Sequence, residues 1–324
     1  MSFKSSFAGA LATSVLACSV GAQAQTYPAQ PVKWVVPYAP GGTTDVMARR
    51  LADKMSRDMG QPVIIENKPG AASIIGATAI ARSAPDGYTV GTADSGTLAF
   101  NPAMYASLSY NAEKDFTFIG GLGKMPLVLA VTPNFPAKNL QEFMALVRQK
   151  PGGVSSASSG PGSPLHVALE MFKQRTGTNI LHVPYKGSAP ALQDLMAGQV
   201  DSMFVDLPPS LSMIKSGKLR VLAVATPQRL PLLPDVPTMA EAGLPGFEAY
   251  AWQGFVAPAK LPAALVERLN REVVAALHHG ETRTKLEELG IQPMLMTPQQ
   301  FSEFVRSEQK LWAGVIRTAN IHLD

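Results

Sequence analysis

Two short Gly/Pro/Ser segments carry the residue types that hold anions without a basic side chain. The first, Pro40-Gly41-Gly42-Thr43-Thr44-Asp45, follows the apolar run Val32–Tyr38. The second, Ser159-Gly160-Pro161-Gly162-Ser163, follows Val154–Ser158. Each leads into an amphipathic pattern that reads as a helix, from about Thr44 and from about Pro164. Where a glycine loop opens a helix, the first-turn N–H groups lack intrahelical acceptors and the helix dipole presents its positive end. An anion is stabilised at that point. Two such loops, well separated in the chain, imply two units that each hold one end of an anionic ligand.

The side chains around these loops divide into contact and support candidates. Gly41, Gly42, Thr43, Gly160 and Gly162 would offer backbone N–H groups, and Ser158, Ser159 and Ser163 hydroxyls, either to a second anion or to the loop itself. Asp45 falls in a first helical turn, where a carboxylate usually serves the helix terminus. It would repel an anion, so its expected task is to orient loop N–H groups or a water. Tyr38 and Tyr185 end apolar runs just before loops and are candidates to line a cleft, with strand-end burial as the alternative. Asp206 follows Met203-Phe204-Val205 at a strand end, where α/β sheets place their ligand sites. It would accept from a ligand amine or hydroxyl, or else cap the next helix. Asp94, Ser95 and Thr97 occupy the corresponding strand end of the first half.

Other chemistries find little support. A nucleophile elbow needs Gly two residues either side of Ser, but Ser95 is preceded by Ala93 and Ser158 by Ser156. The histidines, His166, His182, His278, His279 and His322, show no zinc-ligand spacing, and no metal or cofactor is expected. Gly160-Pro161-Gly162 lacks the third glycine of a dinucleotide fingerprint, and neither loop has the Gly-Lys-Ser/Thr of a phosphate loop. The net charge is +4, yet no basic cluster exceeds Arg49-Arg50, which excludes a nucleic-acid footprint. Enzymatic function is not expected.

The elements that must position these residues alternate along the chain. Strand patterns cover Val63–Glu66, Thr89–Gly91, Leu127–Thr132, Leu181–Pro184, Ser202–Val205 and Leu219–Thr226. Helical patterns cover Thr44–Met59, Ile75–Ser83, Leu140–Gln149, Pro164–Thr176, Pro190–Ala197, Leu211–Ser216, Ala263–His279 and Pro298–Ala319. Such alternation argues for an α/β architecture of parallel strands with helical crossovers. Thr297-Pro298 with Gln300 is a capping-box start. Gly177, Gly198, Gly217 and Gly290 stand where helices stop. Phe301, Phe304, Val305, Trp312, Val315 and Ile316 form a core stripe. Prolines at 227, 231, 234, 237 and 245 stiffen a connector over 227–246. Pro126–Thr132 and Tyr250–Pro258 read as strands crossing between halves, a paired hinge.

The first two dozen residues read as an export signal. Lys4 supplies the positive end, Phe7–Val20 the apolar stretch, and Ala22-Gln23-Ala24 a cleavage site, so cleavage is expected after Ala24. A lipoprotein through Val15-Leu16-Ala17-Cys18 is the less favoured alternative. Cys18 is the single cysteine, so the mature chain would have no disulfide and no thiolate.

Together these residues resemble the Bug/TctC solute receptors, the extracytoplasmic binding proteins of tripartite tricarboxylate transporters. The likeness rests on Val36-Pro37-Tyr38-Ala39-Pro40-Gly41-Gly42-Thr43-Thr44-Asp45, Glu66-Asn67-Lys68-Pro69-Gly70-Ala71 and Ala84-Pro85-Asp86-Gly87-Tyr88-Thr89. It continues through Ser158-Ser159-Gly160-Pro161-Gly162-Ser163 with His166, His182-Val183-Pro184-Tyr185-Lys186-Gly187 and Leu233-Pro234-Asp235-Val236-Pro237-Thr238. The resemblance implies a two-lobed periplasmic binding protein of type II, a Venus flytrap with a cleft between lobes. Residues 25–127 with 253–324 would form one lobe and 128–252 the other.

It also implies a monomeric periplasmic receptor that captures a small carboxylate and delivers it to one large and one small membrane subunit. A sensor presenting its ligand to a membrane kinase is the alternative. The family commonly continues Pro-Gly-Ala with Gly-Gly-Asn, where this chain has Ala72-Ser73-Ile74. A stiffer loop follows from the lost glycines. Ala72 and Ser73 are expected at the ligand, and Ile74 is expected to make the pocket wall less polar, suiting an aromatic or branched carboxylate.

Overall fold

The computed structural model describes residues 27–323. The export-signal reading, with Lys4, Cys18 and Ala22–Ala24, falls on residues outside that range.

The first half builds a parallel three-stranded unit. β1 (Val32–Val36) buries its valines and Trp34. α1 (Thr43–Met59) follows, burying Met47, Leu51, Met55 and Met59 at helical spacing and stopping at Gly60, whose φ of 69° needs no Cβ. β2 (Val63–Asn67), α2 (Ile74–Ala81) and β3 (Thr89–Asp94) complete the order β2-β1-β3, all parallel. A π-helical turn (Gly96–Phe100) and a short α3 (Asn101–Met104) lead to β4 (Phe116–Val131).

The second half repeats the theme with α4 (Leu140–Gln149), β5 (Ser155–Ser158), α5 (Pro164–Thr176), β6 (Leu181–Pro184), α6 (Ser188–Ala197), β7 (Ser202–Asp206), α7 (Leu207–Lys215) and β8 (Arg220–Val224). The chain returns through β9 (Tyr250–Pro258), α8 (Ala263–His278), α9 (Gly280–Glu288), β10 (Gln292–Pro293) and α10 (Pro298–Thr318). α10 begins with the expected capping box of Thr297 and Gln300, and its stripe buries Phe301, Val305, Trp312, Val315 and Ile316.

The strand order is β2-β1-β3-β9-β4-β7-β5-β6, with β8 and β10 also paired to β4. β9 and β4 run antiparallel to their neighbours, so the sheet is mixed, a correction to the all-parallel reading. β4 is the bridge. Its residues Phe116–Pro126 pair with β9, whereas Leu127–Val131 pair with β7 on one side and β8 on the other.

β4 also runs much further than the Pro126–Thr132 crossover read from sequence. Gly120, Gly121 and Gly123 look like strand breakers, but packing requires them. A Cβ at Gly121 would lie 2.5 Å from Met294 Cβ, and one at Gly123 2.8 Å from Ile291 Cγ2. α9 escaped the sequence reading because His278-His279 resembles a helix end, and α8 does end there. The proline-rich connector carries no long element, yet it is tied down by Arg229 to Glu241 at 2.9 Å and by Val224–Thr238 bridging. Among the described residues no helix is long and apolar enough to cross a membrane.

Candidate functional site

A cleft of about 480 Å³ lies where the two halves meet. Its walls are helix beginnings: Gly42–Thr44 before and in α1, Ala72 before α2, Ser163 and Pro164 at α5, Gly187 and Ser188 at α6, and Asp206 ahead of α7. The N-caps of α1, α2, α6 and α7 make no side-chain capping bond. The first-turn N–H groups of α1, and those of Ser188 and Ala189 in α6, therefore remain available to a ligand. Ile74 N–H of α2 instead donates to Ala71 O at 2.9 Å. α7 begins Leu207-Pro208-Pro209, which leaves it a single first-turn N–H. The floor comes from the ends of β3 and β9, with Asp94 opposite Gln253 across the antiparallel pair, and from Met125, Ala251 and Trp252. Among the described residues no Lys, Arg or His lines the cleft; the charged side chains there are Asp94 and Asp206.

In the first loop Asp45 is buried behind the cleft. It accepts from Gly41 N–H at 2.9 Å, Arg49 Nε at 2.9 Å and Asn67 Nδ2 at 2.8 Å. Burial works against its ionisation, but the bonds from Arg49, Gly41 and Asn67 outweigh that and hold the carboxyl below its ordinary value. Asp45 thus fixes the loop and leaves the start of α1 to the ligand. Gly41 belongs to the same internal arrangement.

The second loop is held more tightly. Ser158 Oγ meets His182 Nε2 at 2.7 Å and accepts from Gly160 N–H at 3.2 Å. Gly162 N–H donates to His166 Nδ1 at 3.0 Å, Ser163 N–H to Gly160 O at 3.2 Å, and Ser163 Oγ caps α5 by accepting from His166 N–H at 3.3 Å. His166 and His182 stack with centroids 3.8 Å apart. Burial, then neighbouring charge (Lys173 for His166, the His166 ring for His182), lowers each to about 4, so both rings are neutral at pH 7. The N–H groups of Gly160, Gly162 and Ser163 are consumed inside the loop, against the expectation that they face an anion. At the neighbouring start of α6, Gly187 N–H donates to Ser159 O at 3.1 Å, and the N–H groups of Ser188 and Ala189 offer uncapped donors in their place.

Between α2 and β3 a polar network backs the floor. Tyr38 OH donates to Asp94 Oδ2 in a short bond, while Asp94 Oδ1 accepts from Thr97 N–H and Thr97 Oγ1, both at 2.8 Å. Ser73 Oγ lies 2.8 Å from Thr97 Oγ1, and Asn101 Nδ2 donates to Ala72 O at 3.0 Å. Burial, then the Asp94 charge, pushes the Tyr38 hydroxyl well above its ordinary value, so it remains a donor. Ala71, Ala72 and Ser73 all take positive φ, at 46°, 48° and 71°. That conformation costs a non-glycine residue roughly 1–2 kcal/mol. The pair of positions at which the resembled family carries glycine is thus left-handed here with Cβ atoms present. Ile74 turns into the core, so the less polar wall expected from it is not made.

Among the described residues three polar atoms at the cleft are buried without a partner: Asp206 Oδ1, Gln253 Oε1 and Ser95 Oγ. Burial pushes the Asp206 carboxyl up to about 6. Asp206 does not cap α7, which removes the structural alternative read from the sequence.

Of the residues singled out in the sequence, Tyr38, Gly42, Thr43, Ala72, Asp94, Ser95, Ser159, Gly162, Ser163 and Asp206 line the cleft. Gly41, Asp45, Ser73, Thr97, Ser158, Gly160 and His166 stand behind it as supports. Tyr185 does neither: its hydroxyl donates to Asp194 at 2.7 Å. Sequence reading missed Gln253, Trp252, Asn101, Met104, Gly187, Ser188 and Leu323. Gly187-Ser188 carried a signal, a glycine before a helix, whereas Gln253 lay inside a strand pattern with none. A larger, more open groove of about 720 Å³ between residues 99–115 and α10 receives none of these helix beginnings.

The profile of the tripartite tricarboxylate transporter family receptor, TctC, matches residues 47–321. The chain belongs to this family. The receptor is 38% identical to Protein BugT of Bordetella pertussis, over 97% of this chain and 96% of that one. Among solved structures it resembles Rpa4515 of Rhodopseudomonas palustris with adipate (37% identity, TM-score 0.83, covering 91% and 99% of the two chains). It also resembles MatC of the same species with bound malate (36%, TM-score 0.79, 90% and 100%). The receptor therefore has the two-lobed α/β fold of periplasmic binding proteins, and its family is one of solute receptors.

Proposed function

We propose that this receptor captures a small carboxylate in the periplasm and delivers it to the membrane subunits, one large and one small, of a tripartite tricarboxylate transporter. The observation that carries this reading is the convergence of the uncapped starts of α1 and α6 on a cleft with no basic side chain among the described residues. N–H dipoles hold a carboxylate there at low desolvation cost. The adipate and malate named with two relatives fit the same chemistry. In this reading residues 25–127 with 253–324 form one lobe and 128–252 the other, and the monomer closes about β4 and β9. The pairing of β4 changes partners after Pro126, which supports a hinge at that point. Binding shifts the open–closed balance by the ligand's differential affinity for the two forms.

The test removes single N–H donors, with Thr43→Ala and Ser188→Ala as controls for the lost hydroxyls. Thr43 and Ser188 are the first residues of α1 and α6, positions that tolerate proline. Thr43→Pro and Ser188→Pro are each expected to weaken carboxylate binding by calorimetry about tenfold or more, the loss of one charge-assisted bond. Their unfolding temperatures should remain near that of the parent. Full affinity in both variants would refute the helix-terminus reading.

A further inference from the structure

The walls and floor of the cleft have opposite polarity. The starts of α1 and α6 give the walls open N–H donors. The floor is acceptor-rich, with Gln253 Oε1 and Asp206 Oδ1 both buried and unpartnered. The rest of the Gln253 amide is committed, since Nε2 donates to Thr44 Oγ1 at 2.5 Å and leaves Oε1 turned away from that bond. Gln253 is 3% exposed, so water does not readily complete it. Asp94, its cross-strand neighbour, has both oxygens engaged by Tyr38 and Thr97 and offers no relief. Ser95, 1% exposed, has its hydroxyl unpartnered beside them.

A buried acceptor without a donor costs about 1–3 kcal/mol, and native folds keep few of them. Two at the floor of one cleft, close to a second carboxylate, describe a site completed by what enters it. We propose that the ligand carries a hydrogen-bond donor, a hydroxyl or an ammonium, besides its carboxylate, and that Asp206 and Gln253 select for it. This inference rests on the carboxylate reading above and narrows it.

A plain dicarboxylate would leave both acceptors empty and set a second negative charge near Asp94 and Asp206, with no cation among the described lining residues to offset it. A hydroxy acid pairs one acceptor. An amino acid pairs more than one and also neutralises charge. The two lobes contribute jointly, because Asp206 ends β7 in the second half while Gln253 lies on β9 beside β3.

Two matched series test this by calorimetry on protein stripped of bound solute by unfolding and refolding. One is succinate, malate and aspartate; the other is glutarate, 2-hydroxyglutarate and glutamate. In at least one series the hydroxy or amino member is expected to bind about tenfold or more tightly than the plain diacid, the worth of one added bond to a charged group. The hydroxy and amino arms separate the two kinds of donor. Asp206→Asn should reduce the amino-acid preference about tenfold and raise plain-diacid affinity by removing a like charge, a gain that mere damage to the cleft would not produce. Gln253→Met provides the second variant, and thermal unfolding checks both for folding. Plain diacids binding as tightly as their substituted partners, or unchanged ratios in both variants, would overturn the inference and leave the carboxylate reading standing. If no acid of either series binds, the carboxylate reading itself fails and this one with it.

Discussion

Asp206→Asn should stabilise the ligand-free receptor at neutral pH. Its carboxyl is half-buried with Oδ1 unpartnered, and burial raises it from 3.8 to about 6. A raised carboxyl means that the folded state holds a proton the unfolded chain has lost between pH 3.8 and about 6. Stability attributable to this group is full below the unfolded value and disappears as pH rises through about 6. Each pH unit of displacement is worth about 1.36 kcal/mol, so the penalty at pH 7.5 is at most about 3 kcal/mol. Partial contact with water brings it to about 1–2 kcal/mol. Asparagine keeps the shape and removes the charge. Urea unfolding of parent and variant at pH 4 and pH 7.5, both stripped of ligand, is the assay. The expected result is near-equal stability at pH 4 and a variant about 1–2 kcal/mol more stable at pH 7.5. A variant less stable at pH 7.5, or equally stabilised at both, would refute an unpaired buried charge at this position. The same substitution should damage ligand selection, an exchange of stability for function of the kind binding sites commonly show.

The stacked His166–His182 pair should make the receptor acid-sensitive in the opposite sense. Both imidazoles are lowered to about 4, so the unfolded chain takes up protons first and stability falls as pH drops from about 6.5 to 4. His182→Asn should flatten that slope in thermal unfolding scans, and an unaltered slope would count against the pair. Gly254→Ala should destabilise by about 2–3 kcal/mol through overpacking, because the new Cβ would sit 1.9 Å from Phe301 Cζ. Denaturant unfolding with a change under about 0.5 kcal/mol would show that α10 yields at that contact.

Much of the architecture was legible in local pattern. Helices at Leu140–Gln149 and Pro164–Thr176 and the strand Leu181–Pro184 occupy the spans read from periodicity, since each has its own cap or stop. β4 was not legible, because Gly120, Gly121 and Gly123 weaken any strand pattern and are explained only by Met294 and Ile291 packing on them. In the candidate site, glycine loops and strand-end aspartates stand out as residue types. Their occupation does not: Gly162 N–H is spent on His166, four residues on, and nothing local announces that the histidine ring turns back.

The sequence by itself determined the class of chemistry. Glycine before a helix, acids at strand ends and the absence of nucleophile or metal spacing follow from neighbours a few residues apart, and those neighbours control backbone conformation and capping. Only the tertiary structure decided which groups are free to meet a ligand. Asp45 and Asp206 look alike as carboxylates beside helix starts, yet Arg49, Gly41 and Asn67 satisfy the first while the second keeps a buried oxygen unpaired. That difference depends on partners brought together by folding. Gln253 shows the same thing more sharply, since it reaches Thr44 across 209 positions of chain and leaves its carbonyl for whatever enters the cleft.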